Sequence, residues 1–342
     1  MGRACPVRQK EVTMEGPGNN VRNCALVFEG GGYRASYTAG IVRVLLEQGI
    51  DFDYACGVSA GASHAVDYVS RDLRRTRMAF LGHDGAEKTG GVRSLLSGKG
   101  YFNADYLYEG AMLDGFMPFD WDAFVANPAR IRIQAFERDT GRTVTWTKDD
   151  MPTAMDMMDR VRASSTLPGA MKPLPVSDSV YYDGGLGTGA GIPIHLAEGD
   201  GFEKFVFVAT RPRGYRKPEP SKHDIALFQG VARDYPYMRN ALLTRWKRYN
   251  VALDHVDELE RDGRCLAIYP DEMPVENGTV NKRRLLASYN MGHDQGERDL
   301  PRLREFVFGS ADGGPHRTRE EIARLVSAAD GTESESTYIT IE

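Results

Sequence analysis

Three short segments hold residue types that together could carry out acyl transfer. The first is Gly57-Val58-Ser59-Ala60-Gly61. A serine flanked by glycines two residues away suits a sharp strand-to-helix turn, because bulky neighbours would clash with the folded-back chain. Such a turn sets the hydroxyl at a helix N-terminus, where the dipole favours developing negative charge. The second is Gly30-Gly31-Gly32. Consecutive glycines let neighbouring backbone N–H groups converge on one point, a nest that holds either a phosphate or an oxyanion. Neither a G-x-G-x-x-G pattern nor a Walker Lys-Ser/Thr pair is present, so a nucleotide is the weaker reading. The third is Asp183-Gly184-Gly185, an aspartate closing an apolar stretch, with glycines that permit close approach. Taken singly, the Ser59 and Asp183 segments also fit plain turns. Arg34 either steadies the glycine loop or meets an anion.

The surrounding pattern is that of an α/β protein. Cys24 to Phe28 is a continuous apolar run, as in a strand buried on both faces of a parallel sheet. Ile41, Val42, Val44, Leu45 and Leu46 follow at helical spacing, with Gly49 as the stop. Phe52 to Val58 predicts the next strand and Ala60 to Arg71 the next helix, which makes a βαβ unit. Ile131 to Phe136 alternates at period two and can pair with Thr143 to Thr147 through the Asp139-Thr140-Gly141 turn. A helix is expected over Met155 to Ala163, strands at Val180 to Tyr182, Phe205 to Ala209 and Leu266 to Pro270, and helix over 225–261. The glycine-rich stretch 82–100 suits a surface loop covering a site. Arg71 to Arg77 reads as the solvated flank of a helix. The chain divides into a flexible leader (1–22), a catalytic core (23–212), a mainly helical accessory region packed on it (213–308), and a charged, largely flexible tail (309–342) with one helix near Arg319 to Ala328.

Composition narrows the class. With 342 residues, 41% of them hydrophobic, the chain can build one large core. A net charge of -5, from 43 Lys+Arg and 48 Asp+Glu, offers no concentrated basic field for nucleic acid. Cys5, Cys24, Cys56 and Cys265 lack zinc-ligand spacing, so neither a metal nor another cofactor is called for. The first residues contain no apolar stretch of a signal peptide, and no run reaches eighteen apolar residues. A cytoplasmic location follows, with any lipid contact peripheral, at the inner membrane surface.

In order and spacing the three segments resemble the bacterial branch of the patatin-like phospholipase family, over about Cys24 to Pro212. The resemblance implies a three-layer α/β fold with a mostly parallel central sheet flanked by helices. It also implies a Ser–Asp dyad, with Ser59 as nucleophile and Asp183 as base. Gly30, Gly31 and Gly32 take the place of its oxyanion loop, with Gly57, Gly61, Arg34, Gly184 and Gly185 as supporting motif positions. Ala163-Ser164-Ser165 before Leu167-Pro168, and Thr210-Arg211-Pro212, match the same branch, and Arg245 to Asn250 and Tyr289 to Gly292 match its C-terminal part. Two positions depart: Glu29 stands where the family has Asp, and Ala35 where it has Gly. The expected activity is cleavage of fatty acyl esters, with no cofactor. The substrate is a lipid or a small acyl ester.

Two competing readings remain at this stage. A Ser–Asp–His triad would draw its histidine from His195, His223, His255, His293 or His316, all of which follow Asp183. The early glycine loop argues against it, and His64 lies too far round a helix to reach Ser59 easily. The other reading is a lipid-binding scaffold that keeps the fold without useful turnover.

Overall fold

The computed structural model describes residues 18–81, 103–105, 108 and 117–330. The expected loop at 82–100 and most of the leader lie outside these residues. Eight strands form one sheet: β1 (Ala25–Phe28), β2 (Tyr54–Val58), β3 (Arg130–Glu137), β4 (Thr143–Trp146), β5 (Pro175–Val176), β6 (Ser179–Asp183), β7 (Phe205–Val208) and β8 (Cys265–Ile268). Their order is β5-β6-β3-β2-β1-β7-β8, with β4 paired to β3. The stretch from β3 to β8 is parallel, whereas β4, β5 and β6 run antiparallel to their neighbours. Every residue of β1, β2, β7 and β8 is buried, which is why these strands read as unbroken apolar runs.

The helices are α1 (Ser36–Gln48), α2 (Ala60–Val69), α3 (Leu73–Leu81), α4 (Trp121–Ala126) and α5 (Ala154–Ser165). They continue as α6 (Ile194–Gly199), α7 (Lys222–Val231), α8 (Pro236–Arg261), α9 (Lys282–Phe308) and α10 (Arg319–Asp330). Leu26 and Phe28 point to one face, into a core shared with α1, α2 and α5. Their neighbours Ala25 and Val27 point to the other, against α6 and α8. The result is the expected three-layer α/β arrangement with a mostly parallel sheet.

One feature of the pairing positions the site. β2 runs alongside β3 as far as Val58 opposite Gln134. At the next residue of β3, Ala135, the partner is Asp183 of β6. The residue that follows β2, Ser59, is thus set beside the end of β6 by the register of a third strand.

The region beyond Pro212 is built into this core. Its β8 completes the parallel edge, and α9 lies along α1. The expected helix over 225–261 is two helices, and Pro236 sits in the first turn of the second, where its missing N–H costs nothing. The sequence reading did not single out α9, which contains Gly292, Gly296 and Pro301. These glycines do not end the helix; they let it close on α1. A methyl group on Gly292 would overlap the Tyr37 carbonyl oxygen, and one on Gly40 would overlap that of Tyr289. The flank Arg71 to Arg77 also differs from expectation. Arg75 is buried at 7% exposure, because its guanidinium pairs with the buried Asp67.

The α1–α9 crossing predicts a contrast between two glycines. Gly292→Ala should lower the unfolding free energy by about 1–3 kcal/mol, as overpacking does. Gly230→Ala, in α7 with open space around it, should leave stability equal or slightly raised. Denaturant midpoints check both, and an unchanged midpoint in Gly292→Ala contradicts the close approach.

Candidate active site

Ser59 joins β2 to α2 with φ 57° and ψ −129°, a left-handed conformation that costs a non-glycine residue about 1–3 kcal/mol. Its neighbours make this turn feasible. A side chain on Gly57 would run into the Gly61 carbonyl, and one on Gly61 would lie 2.5 Å from the Phe28 carbonyl oxygen. The Ser59 N–H donates to Ser164 Oγ at 2.9 Å, and that hydroxyl donates to the Gln134 carbonyl at 2.6 Å. Although Ser59 caps α2, its Oγ accepts no helix N–H. The hydroxyl instead lies near enough to the carboxylate of Asp183 to lower its pKa.

Asp183 is 5% exposed. Its Oδ1 accepts the Gly185 N–H at 2.7 Å, and its own N–H donates to the Thr166 carbonyl at 2.8 Å. Burial raises its pKa above the ordinary aspartate value, while Arg245, the Ser59 hydroxyl and the Gly185 N–H pull it back down. A carboxylate raised in this way is a better proton acceptor than an exposed one.

Arg245 comes from α8. Its Nε donates to the Gly185 carbonyl at 2.9 Å and to that of Ala190 at 3.3 Å. Arg248, one turn further on, donates to the Leu186 and Gly187 carbonyls, both at 2.6 Å. Two arginines thereby hold the loop that follows Asp183.

The glycine loop leaves the end of β1 and is fixed from both sides. Glu29 accepts the Thr210 N–H with one oxygen and the Tyr249 hydroxyl with the other, each at 2.6 Å. Arg34 donates to the Thr210 carbonyl at 3.2 Å and to Asn277 Oδ1 at 3.1 Å, so it steadies the loop. The N–H groups of the three glycines differ in their partners. The Gly30 N–H is taken by the Gly191 carbonyl at 3.0 Å, whereas those of Gly31 and Gly32 meet no backbone acceptor among the described residues. Ala35 is fully buried, and its carbonyl lies 2.8 Å from Nε2 of His64.

The histidines are held elsewhere. Burial lowers the His64 pKa to about 4, and its ring stacks on Phe80. His195 meets Gln134 Oε1, His255 meets Glu198, His293 meets Glu47 and His316 meets the Asp312 carbonyl. His223 is exposed on α7. His83 lies outside the described residues.

A cleft of about 120 Å³ opens beside Ser59. Tyr33, Val66, Phe80, Met158, Val161 and Leu167 give it mainly apolar walls. Among the described residues no group of three or more His, Cys, Asp or Glu could hold a metal ion, and no helix is long and apolar enough to cross a membrane.

Residues 26–197 match the family described as patatin-like phospholipase, which is half of the chain. The chain belongs to that family. Residues 235–308, which supply Arg245, Arg248 and α9, match a domain of unknown function, DUF6363. Among curated proteins the chain is similar to the uncharacterized protein YjjU of Escherichia coli (strain K12), at 26% identity over 199 residues. That match covers 55% of this chain and 52% of the relative, so the chain spans about half the length of the protein it matches. Among solved structures it is similar to VipD from Legionella pneumophila, with a TM-score of 0.40 and 11% identity. That alignment covers 90% of this chain and 74% of the other.

The structure brings Ser59, Asp183, Gly31 and Gly32 to one end of the sheet, with Arg34, Gly57, Gly61, Gly184 and Gly185 supporting them. Gln134 and the clamping role of Arg245 were not anticipated. Each acts on residues 50 or more positions away, and neither stands in a pattern that local spacing would reveal.

The Arg245 contact carries a pH prediction. Its positive charge lowers the pKa of Asp183, so Arg245→Met should raise that pKa further. Labelling of Ser59 by a fluorophosphonate, which needs the carboxylate form, should then switch on at higher pH than in the wild type. Arg245→Lys, which keeps the charge, should restore much of the wild-type profile. Superimposable pH profiles for wild type and Arg245→Met would remove Arg245 from the electrostatics of the site.

Proposed function

We propose that the protein is a serine acyl hydrolase that cleaves fatty acyl esters through a Ser59–Asp183 dyad and an acyl-enzyme. The observation that carries this reading is the placement of a strained, buried Ser59 beside a buried Asp183 of raised pKa, set by their shared register on β3. In the first step Asp183 takes the hydroxyl proton as Oγ attacks the ester carbonyl carbon. The N–H groups of Gly31 and Gly32 hold the oxyanion. That of Ala60, the first residue of α2 and without an intrahelical acceptor, is placed to help. Collapse expels the alcohol, which receives the proton from Asp183. Water then gives a proton to Asp183, attacks the acyl carbonyl and releases the acid, and the proton returns to Oγ. The apolar cleft suits the acyl chain.

Two further observations support the reading. Of the histidines that follow Asp183, four are engaged with other partners and His223 is exposed, which leaves the base role to the carboxylate. Cys24, Cys56 and Cys265 are buried free thiols, in keeping with a reducing, cytoplasmic setting. Lipid would be met peripherally.

Ser59→Ala should abolish ester hydrolysis and fluorophosphonate labelling while the protein stays folded. Asp183→Asn should slow acylation by an activated ester by about 10²- to 10⁴-fold, the range of general base catalysis. Gln replacements of His195, His223, His255, His293 and His316 should stay within a few-fold of wild type. Stopped-flow acylation compares them, and a collapse in one histidine variant would transfer the base role to it. A folded wild type that neither labels nor turns over would favour the scaffold reading.

The glycine loop makes a separate prediction. A methyl group on Gly31 would lie 2.7 Å from Thr210 Oγ1, so Gly31→Ala must shift the loop. Loss of a well-aimed donor should cost about 10²-fold in turnover. Normal turnover in that variant would put the oxyanion donors elsewhere.

A further inference from the structure

The connection from β8 to α9 reaches the glycine loop, and one of its residues, Asn277, meets Gly32, Tyr33 and Arg34 in turn. The Asn277 carbonyl accepts the Tyr33 N–H at 3.1 Å, and its Oδ1 accepts Nη1 of Arg34, also at 3.1 Å. Against Gly32 the approach is closer. A methyl group built on that glycine would lie 2.6 Å from the Asn277 carbonyl oxygen and 2.8 Å from Oδ1. Gly32 also has a φ of 52°, so both conformation and space exclude a side chain there. Asn277 lines the cleft beside Ser59 together with Gly32 and Tyr33.

The connection is anchored on both sides of Asn277. Val275 is buried in a cluster with Ala35, Ala39 and Ala60. The Thr279 N–H donates to the Glu276 carbonyl at 3.1 Å, and the Glu276 N–H donates to Thr279 Oγ1 at 2.8 Å. These bonds close a turn with Asn277 at its second position. Arg284, in the first turn of α9, donates to the Pro274 carbonyl.

Consecutive glycines have the greatest backbone freedom, yet N–H donors stabilise an oxyanion well only when they are aimed before its charge develops. The glycines cannot supply that aim themselves. At one end the Gly191 carbonyl holds the Gly30 N–H at 3.0 Å; at the other, Asn277 holds Tyr33 and Arg34. Gly31 and Gly32 lie between these two anchors.

We propose that Asn277 is a positioning residue for the oxyanion donors, so that the region matched to a domain of unknown function completes the loop on which turnover depends. This rests on the Ser59–Asp183 reading with Gly31 and Gly32 as donors. The side chain acts through Arg34, whose guanidinium is held by Asn277 Oδ1 and the Thr210 carbonyl.

The test is Asn277→Ala, which deletes Oδ1 and keeps the backbone carbonyl. Asn277 is exposed, so the denaturant midpoint should stay near that of the wild type. The kcat for p-nitrophenyl butyrate should fall by about tenfold with KM unchanged, part of the loss that follows removal of a whole oxyanion donor. A pair of inhibitors isolates the oxyanion. A trifluoromethyl ketone takes the Ser59 oxygen at its carbonyl carbon while the hydroxyl proton passes to Asp183, which leaves an oxyanion in the loop. The matching methyl ketone binds without that step. Asn277→Ala should weaken the first by about tenfold and leave the second unchanged. In an Arg34→Met background the same replacement should have no further effect. Wild-type kcat and trifluoromethyl ketone affinity in Asn277→Ala, with hydrolysis still dependent on Ser59, overturn the positioning role alone. Equal weakening of both ketones also overturns it, because the side chain would then serve ground-state binding. Hydrolysis that survives Ser59→Ala overturns the dyad reading instead.

Discussion

The side chain of Gln134, fully buried at the centre of β3, ties together the segments that carry the site. Its Nε2 donates to the carbonyls of Gly184 and Thr188, at 2.8 and 2.9 Å, and its Oε1 meets Nε2 of His195 at 2.8 Å. Its backbone carbonyl receives the Ser164 hydroxyl that in turn accepts the Ser59 N–H. A buried amide is tolerated only when its donors and acceptor are all used, and here they are. Burial lowers the pKa of His195, while Glu198 and a backbone hydrogen bond at Ile192 pull it back up. Because β3 also sets the register of β2 and β6, Ser59 and Asp183 share one backbone reference.

Around that reference the electrostatics are balanced. Burial makes Asp183 reluctant to ionise, and Arg245 opposes it from the far side of the loop. Either influence alone would spoil a base: a deeply buried aspartate stays protonated, and one against an unopposed arginine is too weakly basic. Since Arg245 belongs to α8, the pKa of Asp183 is set in part by the region matched to a domain of unknown function. The same helix sends Tyr249 to Glu29, which explains why the longer acid serves at a position where the family carries Asp. Its extra methylene still allows one carboxylate to meet both Thr210 and Tyr249.

How much of this was legible in the sequence follows from the range of each interaction. The elbow could be read because its demand for small residues is local: Gly57 and Gly61 are required by atoms a few residues away or in the adjacent strand. Parallel strands could be read because burial on both faces leaves no polar alternation. Gln134 could not, since an isolated glutamine in a strand has no signature until its partners 50 to 61 residues away are known. Arg75 misled for a related reason. Within a run of basic residues the composition suggests solvent, and only the fold reveals that one of them turns inward to Asp67. Helix α9 was passed over because glycine and proline usually mark breaks, while here Gly292 marks a contact.

The place of β8 and α9 has a consequence for the order in which the protein is made. β7 pairs on its outer side only with β8, and the long face of α1 is covered by α9. A nascent chain that has emerged as far as the β6 loop holds Ser59 and Asp183 but lacks Arg245, the last two parallel strands and the cover of α1. Such a chain presents an open sheet edge and bare apolar surface to its surroundings. The fully covered core is therefore reached only once the C-terminal third has left the ribosome.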